Sequence, residues 1–291
     1  MNRIKNLFII SLMLLINPAF SQISDASLKS NPMLELLGAN AKTMGLKGDV
    51  TQMQVQQFSL DAKGNKIADS LTFSNLYKFD KDGLTKEFEE NYTDFQSKKY
   101  FFSYTNKGYV SHIDIETNDL SKDKDTSDTN LANQAQTSFF STIDYKYVKK
   151  KNILYKGQEN IEGELKKTNT RNEYFYHFND NNQIVQIDYQ STDLVTKYIY
   201  DPNGMINEIQ TLKSGVLLNK NICKYDRNNR LIHIITIKAN NNTKYPNEEI
   251  SINYKLDNNG NIIEKKTLTY LYTKGTKDFF EGYLHLYNYT Y

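Results

Sequence analysis

The 291-residue chain has one cysteine, four prolines and no tryptophan, and its formal charge at neutral pH is only +2. Each shortage excludes something. A lone thiol, Cys223, cannot close an internal disulfide, and between Ile222 and Tyr225 it reads as a small buried hydrophobe. No apolar run approaches the roughly 20 residues that a spanning helix needs, so no transmembrane helix is expected. The mean hydropathy is low, at -0.66. Signatures of chemistry are missing as well. There is no Gly-x-Ser-x-Gly elbow, phosphate loop or dinucleotide fingerprint. His112, His177, His233 and His285 stand far apart, without the paired spacing of a metal site. Asp80-Lys81-Asp82-Gly83 and Asp123-Lys124-Asp125 echo calcium loops but lack the distal glutamate. The expectation is no catalytic residue, no metal and no cofactor; a carboxylate pair assembled across strands would leave no local motif.

The first 21 residues read as a secretory leader. Arg3 and Lys5 form a basic start, Leu7 to Ile16 an apolar core, and Ala19-Phe20-Ser21 a cleavage site before Gln22. Removing Arg3 and Lys5 takes Lys+Arg from 36 to 34, against 34 Asp+Glu, so the mature chain is formally neutral. Without a net positive field there is little to steer it to nucleic acid or anionic lipid. Lys149-Lys150-Lys151 reads as a solvated strand edge.

What is abundant is aromatic: 22 tyrosines and 15 phenylalanines. They flank a turn that recurs seven times, Asp/Asn-x-x-Gly/Asn between short apolar stretches. The copies are Asp61 to Gly64, Asp80 to Gly83, Thr105 to Gly108, Asn179 to Asn182, Asp201 to Gly204, Asp226 to Asn229 and Asp257 to Gly260. In a type I turn followed by a bulge residue, the first position favours Asp or Asn and the last needs positive φ. Glycine meets that need freely, and asparagine is the next most tolerant residue. Pro202 sits where its fixed φ already suits the turn.

The stretches Tyr198-Ile199-Tyr200-Asp201-Pro202-Asn203-Gly204, Cys223-Lys224-Tyr225-Asp226 and Tyr77-Lys78-Phe79-Asp80 resemble the YD repeat of the Rhs and wall-associated repeat families. The likeness covers residues 50 to 115 and 172 to 270, with departures at Cys223, Leu256, Thr105 and Asn179. It implies a hairpin-building rule and an extracytoplasmic setting. Large members of those families wind many repeats into a shell around a toxin, for which this chain is too short.

The expected fold is all-β: an antiparallel meander of repeated hairpins forming an open, twisted or partly curled sheet, with a short N-terminal helix. The spacing of consecutive turns, 19 to 31 residues outside one interruption, is too irregular for a strict solenoid. The expected organisation is a leader at 1-21, a helical cap at 22-46, hairpins at 47-116, a polar insertion at 117-142 and hairpins at 143-291. The cap rests on Asn31-Pro32, on Met33, Leu34, Leu36 and Leu37, and on Gly45 as its end.

The expected function is a non-catalytic binding or scaffold module at the cell envelope, periplasmic or extracellular, with an envelope protein or polysaccharide as partner. One alternative is a carbohydrate binder using exposed tyrosine rows, with Tyr198, Tyr200, Tyr225 and Tyr254 as candidate binding residues. Another is a small outer-membrane β-barrel, because Tyr283, His285, Tyr287, Tyr289 and Tyr291 alternate as in the closing strand of such barrels. Lys86, Glu264 and Lys266 interrupt the unbroken apolar faces that a barrel of that kind needs. The turn reading is checked by Gly204→Val, which forces a β-branched residue to positive φ and is expected to cost more than about 1 kcal/mol. A urea midpoint equal to that of the native chain would contradict it.

Overall fold

In a computed structural model, the protein is described over residues 31–92, 96–119, 138–163, 173–240 and 244–291. The leader and the short helix expected near Leu131 to Thr137 lie outside the described residues. Among the described residues one helix, α1 (Pro32–Leu37), precedes the strands. The first eight are β1 (Gln52–Leu60), β2 (Lys66–Phe79), β3 (Thr85–Tyr92), β4 (Gln96–Tyr104), β5 (Val110–Asp119), β6 (Ser138–Lys150), β7 (Ile153–Gly163) and β8 (Glu173–Phe178). The second eight are β9 (Ile184–Tyr189), β10 (Leu194–Tyr200), β11 (Ile206–Lys213), β12 (Val216–Tyr225), β13 (Leu231–Lys238), β14 (Glu248–Leu256), β15 (Ile262–Thr273) and β16 (Thr276–Thr290). Each strand pairs antiparallel with the next, and β1 pairs with β16 from Gln52↔Thr290 to Ser59↔Tyr283. The sheet is therefore a closed barrel, not the open or partly curled sheet expected from local pattern. Closure leaves no free edge at β1 or β16, whose main-chain groups satisfy one another.

The insertion expected at 117–142 is shorter than its polarity suggested, because residues 117–119 end β5 and 138–142 begin β6. Pairing supplies ordered partners there, from Thr117↔Phe139 to Ile115↔Ser141. Because strands alternate in direction, six of the seven recurring turns gather at one end of the barrel; only Asp61 to Gly64 lies at the other. All seven are built alike. The first side chain accepts hydrogen bonds from the amides two and four residues on, as Asp201 Oδ1 does from Asn203 N and Met205 N, both at 2.9 Å. Thr105 Oγ1 and Asn179 Oδ1 do the same. The closing residue has positive φ in each, from +57 at Asn182 and +61 at Asn229 to +88 at Gly260. A register shift beside the turn, as at Ile199/Tyr200, marks the bulge.

A second repeated bond joins neighbouring hairpins at this turn end. Tyr104, Tyr147, Tyr200, Tyr225, Tyr254 and Tyr289 donate their hydroxyls to the carbonyls of Thr85, Val110, Ile184, Ile206, Leu231 and Ile262, at 2.6 to 2.9 Å. Each acceptor lies two residues past a turn's closing position, on the preceding strand. The two positions of the ring without this bond carry Phe79 and Phe178, on β2 and β8. Their preceding strands, β1 and β7, do not start from an Asp-x-x-Gly turn: β1 follows the helical segment, and β7 follows a tight turn at Lys151 and Asn152. A hydroxyl stands where an Asp-x-x-Gly hairpin precedes and is missing where it does not.

Helix α1 enters the barrel at this same end. Asn31 caps it, accepting from Met33 N, with Pro32 in the first turn, and it stops at Gly38 (φ +75), not at Gly45. Its apolar residues Met33, Leu34, Leu36 and Leu37 form one broad face, and Leu34 and Leu36 on the two flanks of that face are both buried. Leu34 packs with Met53, Phe73, Tyr77 and Phe88, while Leu36 packs with Leu154, Tyr176, Ile184 and Ile209. The segment after it is pinned to the rim: Ala41 N donates to Gly83 O, Thr85 Oγ1 to Ala39 O, and Lys47 N to Asn261 Oδ1. Asn261 also donates to Lys47 O and to Tyr291 Oη, tying both chain ends to one turn.

The tyrosine bonds give a direct check. Tyr225→Phe is expected to cost about 1 kcal/mol, the net worth of one such bond. Phe178→Tyr should bring no gain, since the β6–β7 turn is of the other kind. Equal effects of the two changes in urea unfolding would contradict the assignment.

Candidate functional site

Strand alternation sends one set of side chains into the lumen and the other to the outer wall. The inward set is mainly apolar and aromatic, with Gln57, Asn75, Glu90, Lys156, Lys265 and His285 buried among it. Met53, Tyr77, Phe88, Tyr100, Ile113, Leu154, Tyr176, Ile187 and Ile252 are all buried. Rings stack along the inner wall, with Tyr77 and Phe88 centroids 4.5 Å apart and Phe88 and Tyr100 5.5 Å apart. The outward set is mainly polar and ion-paired across strands, with Lys78 to Glu87 at 2.8 Å, His112 to Asp144 at 2.6 Å, His177 to Asp188 at 2.7 Å, His233 to Glu249 at 3.0 Å and Lys255 to Glu264 at 2.8 Å, and with Phe140, Val216 and Phe280 exposed among them. Three of the four histidines thus stand on the outer wall beside carboxylates. The two Asp144 and Asp114 hydrogen bonds raise the His112 imidazole above its ordinary value. At Glu249, burial works against ionisation, but hydrogen bonds from Lys277, Tyr272 and His233 prevail and hold the carboxyl down at about 2.

The candidate binding tyrosines face inward. Tyr198 is buried in the apolar core, and Tyr200, Tyr225 and Tyr254 are half-buried against it, their hydroxyls spent on the turn-end carbonyls. They form no exposed row on which a sugar could stack. The alternating Tyr283, His285, Tyr287 and Tyr289 share the inner face too, since their register partners are Ser59, Gln57, Val55 and Met53. The turn residues Asp61, Asp80, Asp226 and Asp257, with Gly64, Gly83 and Gly108, hold the hairpins and make no site of their own. Cys223 is buried in the inner apolar cluster, and burial pushes its thiol up to about 11.

The lumen is not completely filled. A cavity of about 1020 Å³ lies between the helical segment and the wall, lined by Met33, Leu34, Met53, Val55, Phe73 and Tyr77 on one side and by Tyr200, Ile206, Tyr225, Leu231, Tyr254 and Ile262 on the other. Pockets for small molecules run to about 300–1,000 Å³ and are mostly apolar with a few placed polar groups. The polar lining includes Asn75, Gln183, Asn229, Arg230 and Asn261, and deeper in the wall Lys265 on β15 and His285 on β16, which are register partners. Lys265 is 2% exposed and His285 7% exposed. The His285 ring lies 6.2 Å from Phe73 and 6.4 Å from Tyr287 by centroid, and its Nδ1 has no hydrogen-bond partner. Two residues from Lys265 along the same face, Thr267 Oγ1 is also buried without one.

Burial pushes the Lys265 ammonium down to about 7. Burial, and then the neighbouring Lys265 charge, push the His285 imidazole down to about 3. Sequence reasoning passed over both residues. Lys265 stands in a charged run, Glu264-Lys265-Lys266, whose other members point outward, and in the sequence His285 reads as one of four scattered histidines and as a member of the alternating C-terminal strand, not as a site residue. The signal that finds His285 is its place on the same period-two face as three tyrosines.

The buried lysine sets a pH trend. Between about 7 and its ordinary 10.5, the unfolded chain binds a proton that the folded chain lacks, so stability rises with pH across that window. Buried phenols reverse the trend beyond about 10, where unfolded tyrosines ionise first. Lys265→Met should flatten the rise between pH 7 and 9.5. Melting curves of the two proteins that stay parallel over this range would contradict the burial of the charge.

No protein-family model matches the chain, and no curated protein matches it in sequence. Among solved structures, a porin-like protein from Bacteroides uniformis ATCC 8492 is similar over 84% of this chain and 99% of its own, at 8% identity and a TM-score of 0.37. A porin-like protein from Bacteroides vulgatus ATCC 8482 is similar over 83% and 98%, at 11% identity and 0.31. The TcdB2-TccC3-TEV structure is similar over 80% of this chain and 16% of its own, at 12% identity and 0.28. Likenesses this distant carry no argument about function, which rests on the residues of the barrel itself.

Proposed function

We propose that the protein is a non-catalytic binding module of the cell envelope, a barrel whose outer wall faces water and whose lumen holds an apolar guest. The observation that carries this reading is the polarity of the wall, mainly apolar and aromatic inside and mainly charged and ion-paired outside, around an unfilled cavity. The leader-like start and the YD-type turns support an extracytoplasmic setting. On this reading the chain is a short relative of the YD-repeat proteins in which the hairpins close into one ring around the chain's own N-terminal segment.

A second reading, a small outer-membrane barrel, is favoured by closure into an even number of antiparallel strands. Its demand is a lipid-facing apolar band about 25 Å tall. The outward ion pairs occupy that face, and a lysine or arginine at the bilayer midplane costs about 2–4 kcal/mol.

The two readings separate in one preparation. The purified protein is expected to stay soluble and monomeric without detergent, to leave the supernatant only slightly depleted after sedimentation with phospholipid vesicles, and to release an apolar molecule on solvent extraction. Precipitation without detergent, with folding and heat-modifiable migration only in micelles, would overturn the water-facing reading in favour of the membrane barrel.

A further inference from the structure

One side of the cavity is not barrel wall. Asn31, Pro32, Met33, Leu34 and the stretch from Thr43 to Lys47 line it from the N-terminal segment that occupies the turn-end mouth. That segment is folded on itself. Asn31 Nδ2 donates to Thr43 O at 3.1 Å, and Asn40 N to Thr43 Oγ1 and Thr43 N to Asn40 Oδ1 at 2.9 Å each. Thr43 Oγ1 donates to Gly38 O at 2.9 Å, and Leu46 N to Ala41 O at 2.8 Å. Thr43 thus joins the cap of α1 to the turn that follows the helix, and the segment holds its shape from within.

Its hydrogen bonds to the barrel lie on one side. Ala41 N donates to Gly83 O at 2.9 Å and Thr85 Oγ1 to Ala39 O, both at the β2–β3 turn. Lys47 N donates to Asn261 Oδ1 at 2.7 Å and Lys47 O accepts from Asn261 Nδ2 at 2.9 Å, at the β14–β15 turn. These two turns flank β16 and β1, where the segment joins the sheet. Among the described residues, no hydrogen bond ties it to the β8–β9, β10–β11 or β12–β13 turns across the mouth. Contact there is apolar: Leu36, 1% exposed, belongs to the cluster of Ile184, Ile187 and Ile209, with Met33 and Leu37 packed beside it. The lip above that contact is polar, since Asn182, Gln183, Asn229 and Arg230 line the cavity. Gly45, at φ +69, precedes the Lys47 anchor, and a Cβ there would meet nothing within 4 Å.

We propose that residues 31–46 are a hinged lid. The segment turns as a unit about Gly45 and the Lys47–Asn261 anchor, lifts Leu36 from the wall of β9 and β11, and opens the cavity at its polar lip to admit or release the guest. The bonds within the segment survive this motion. What it gives up are the two bonds at the β2–β3 turn and the apolar contacts of Leu34 and Leu36, a small set beside the sixteen-strand ladder that stays closed. The inference rests on the lumen-binding reading above and specifies how its guest is exchanged.

The test is rapid-mixing binding of N-phenyl-1-naphthylamine, a neutral fluorophore that brightens in apolar cavities, to the full-length folded protein. A lid that must open first makes the observed rate level off at the opening rate as fluorophore concentration rises. The native protein is expected to show this plateau. Leu36→Ala, which weakens the contact across the mouth, should raise it about tenfold or more. Thr85→Val, which removes a bond to Ala39, should raise it several-fold. Ile113→Ala, equally buried in the wall but outside the cavity lining, should leave it unchanged, with near-ultraviolet tyrosine dichroism showing that all three variants fold. A native rate that stays linear in fluorophore concentration, or a plateau that neither Leu36→Ala nor Thr85→Val moves, would overturn the lid and leave lumen binding standing. Equal acceleration by Ile113→Ala would overturn it too, as a general loosening of the barrel. No fluorophore binding by the native protein or by Leu36→Ala would overturn the inference and the lumen reading together.

Discussion

The width of a sixteen-strand ring is the constraint on which the rest of this structure depends. Eight strands close around a space that side chains alone can fill, whereas sixteen leave a channel unless something enters it. A membrane porin accepts the channel and turns its apolar face to lipid. This chain turns its apolar face inward, so its lumen must be packed or be costly. The aromatic excess meets part of that demand, because tyrosine and phenylalanine reach furthest from the wall per residue. Helix α1 meets another part, with Leu34 serving the cluster along β1 to β6 and Leu36 the cluster from β7 onward. On the proposed reading, the remaining cavity is the space for a guest.

The turn end shows how the ring keeps its shape. Each hairpin is locked internally by an Asp, Asn or Thr that caps its own turn, and to its neighbour by a tyrosine hydroxyl on the preceding hairpin's carbonyl. Six hydroxyls and two phenylalanines complete the ring, and the exceptions fall where the preceding strand begins without such a turn. This couples local chemistry to global closure. A turn out of place would misplace the carbonyl that the next tyrosine needs, so the bond is a register device as well as a source of stability.

The hairpins were legible in the sequence because their determinants are local. An Asp or Asn, two residues and a Gly or Asn suffice, and Asn182 and Asn229 adopt the left-handed backbone that their positions implied. Closure was not legible, because Gln52↔Thr290 joins residues at opposite ends of the chain and no short window records it. Nor was the facing of the tyrosines. Period two says that Tyr198, Tyr200 and Tyr254 share a face with their strand neighbours, but an amphipathic ring suits either face. The helix and its apolar face were legible from Asn31-Pro32 and from Met33, Leu34, Leu36 and Leu37, while its place inside the barrel was not, because a short apolar face does not record what covers it. Lys265 could be found only in space, since its strand is lettered like a solvated edge.

The central claim is that the sheet closes on itself in water, with its polar face outward. Amide hydrogen exchange on peptides from β1 and β16, in buffer without detergent, tests it most directly. A closed, water-soluble barrel gives Val55, Gln57, His285 and Tyr287 amide protection comparable to that of β14 and β15. Exchange in β1 and β16 at the rates of free sheet edges, with the other strands protected, would show an open meander and remove the lumen on which the functional reading rests.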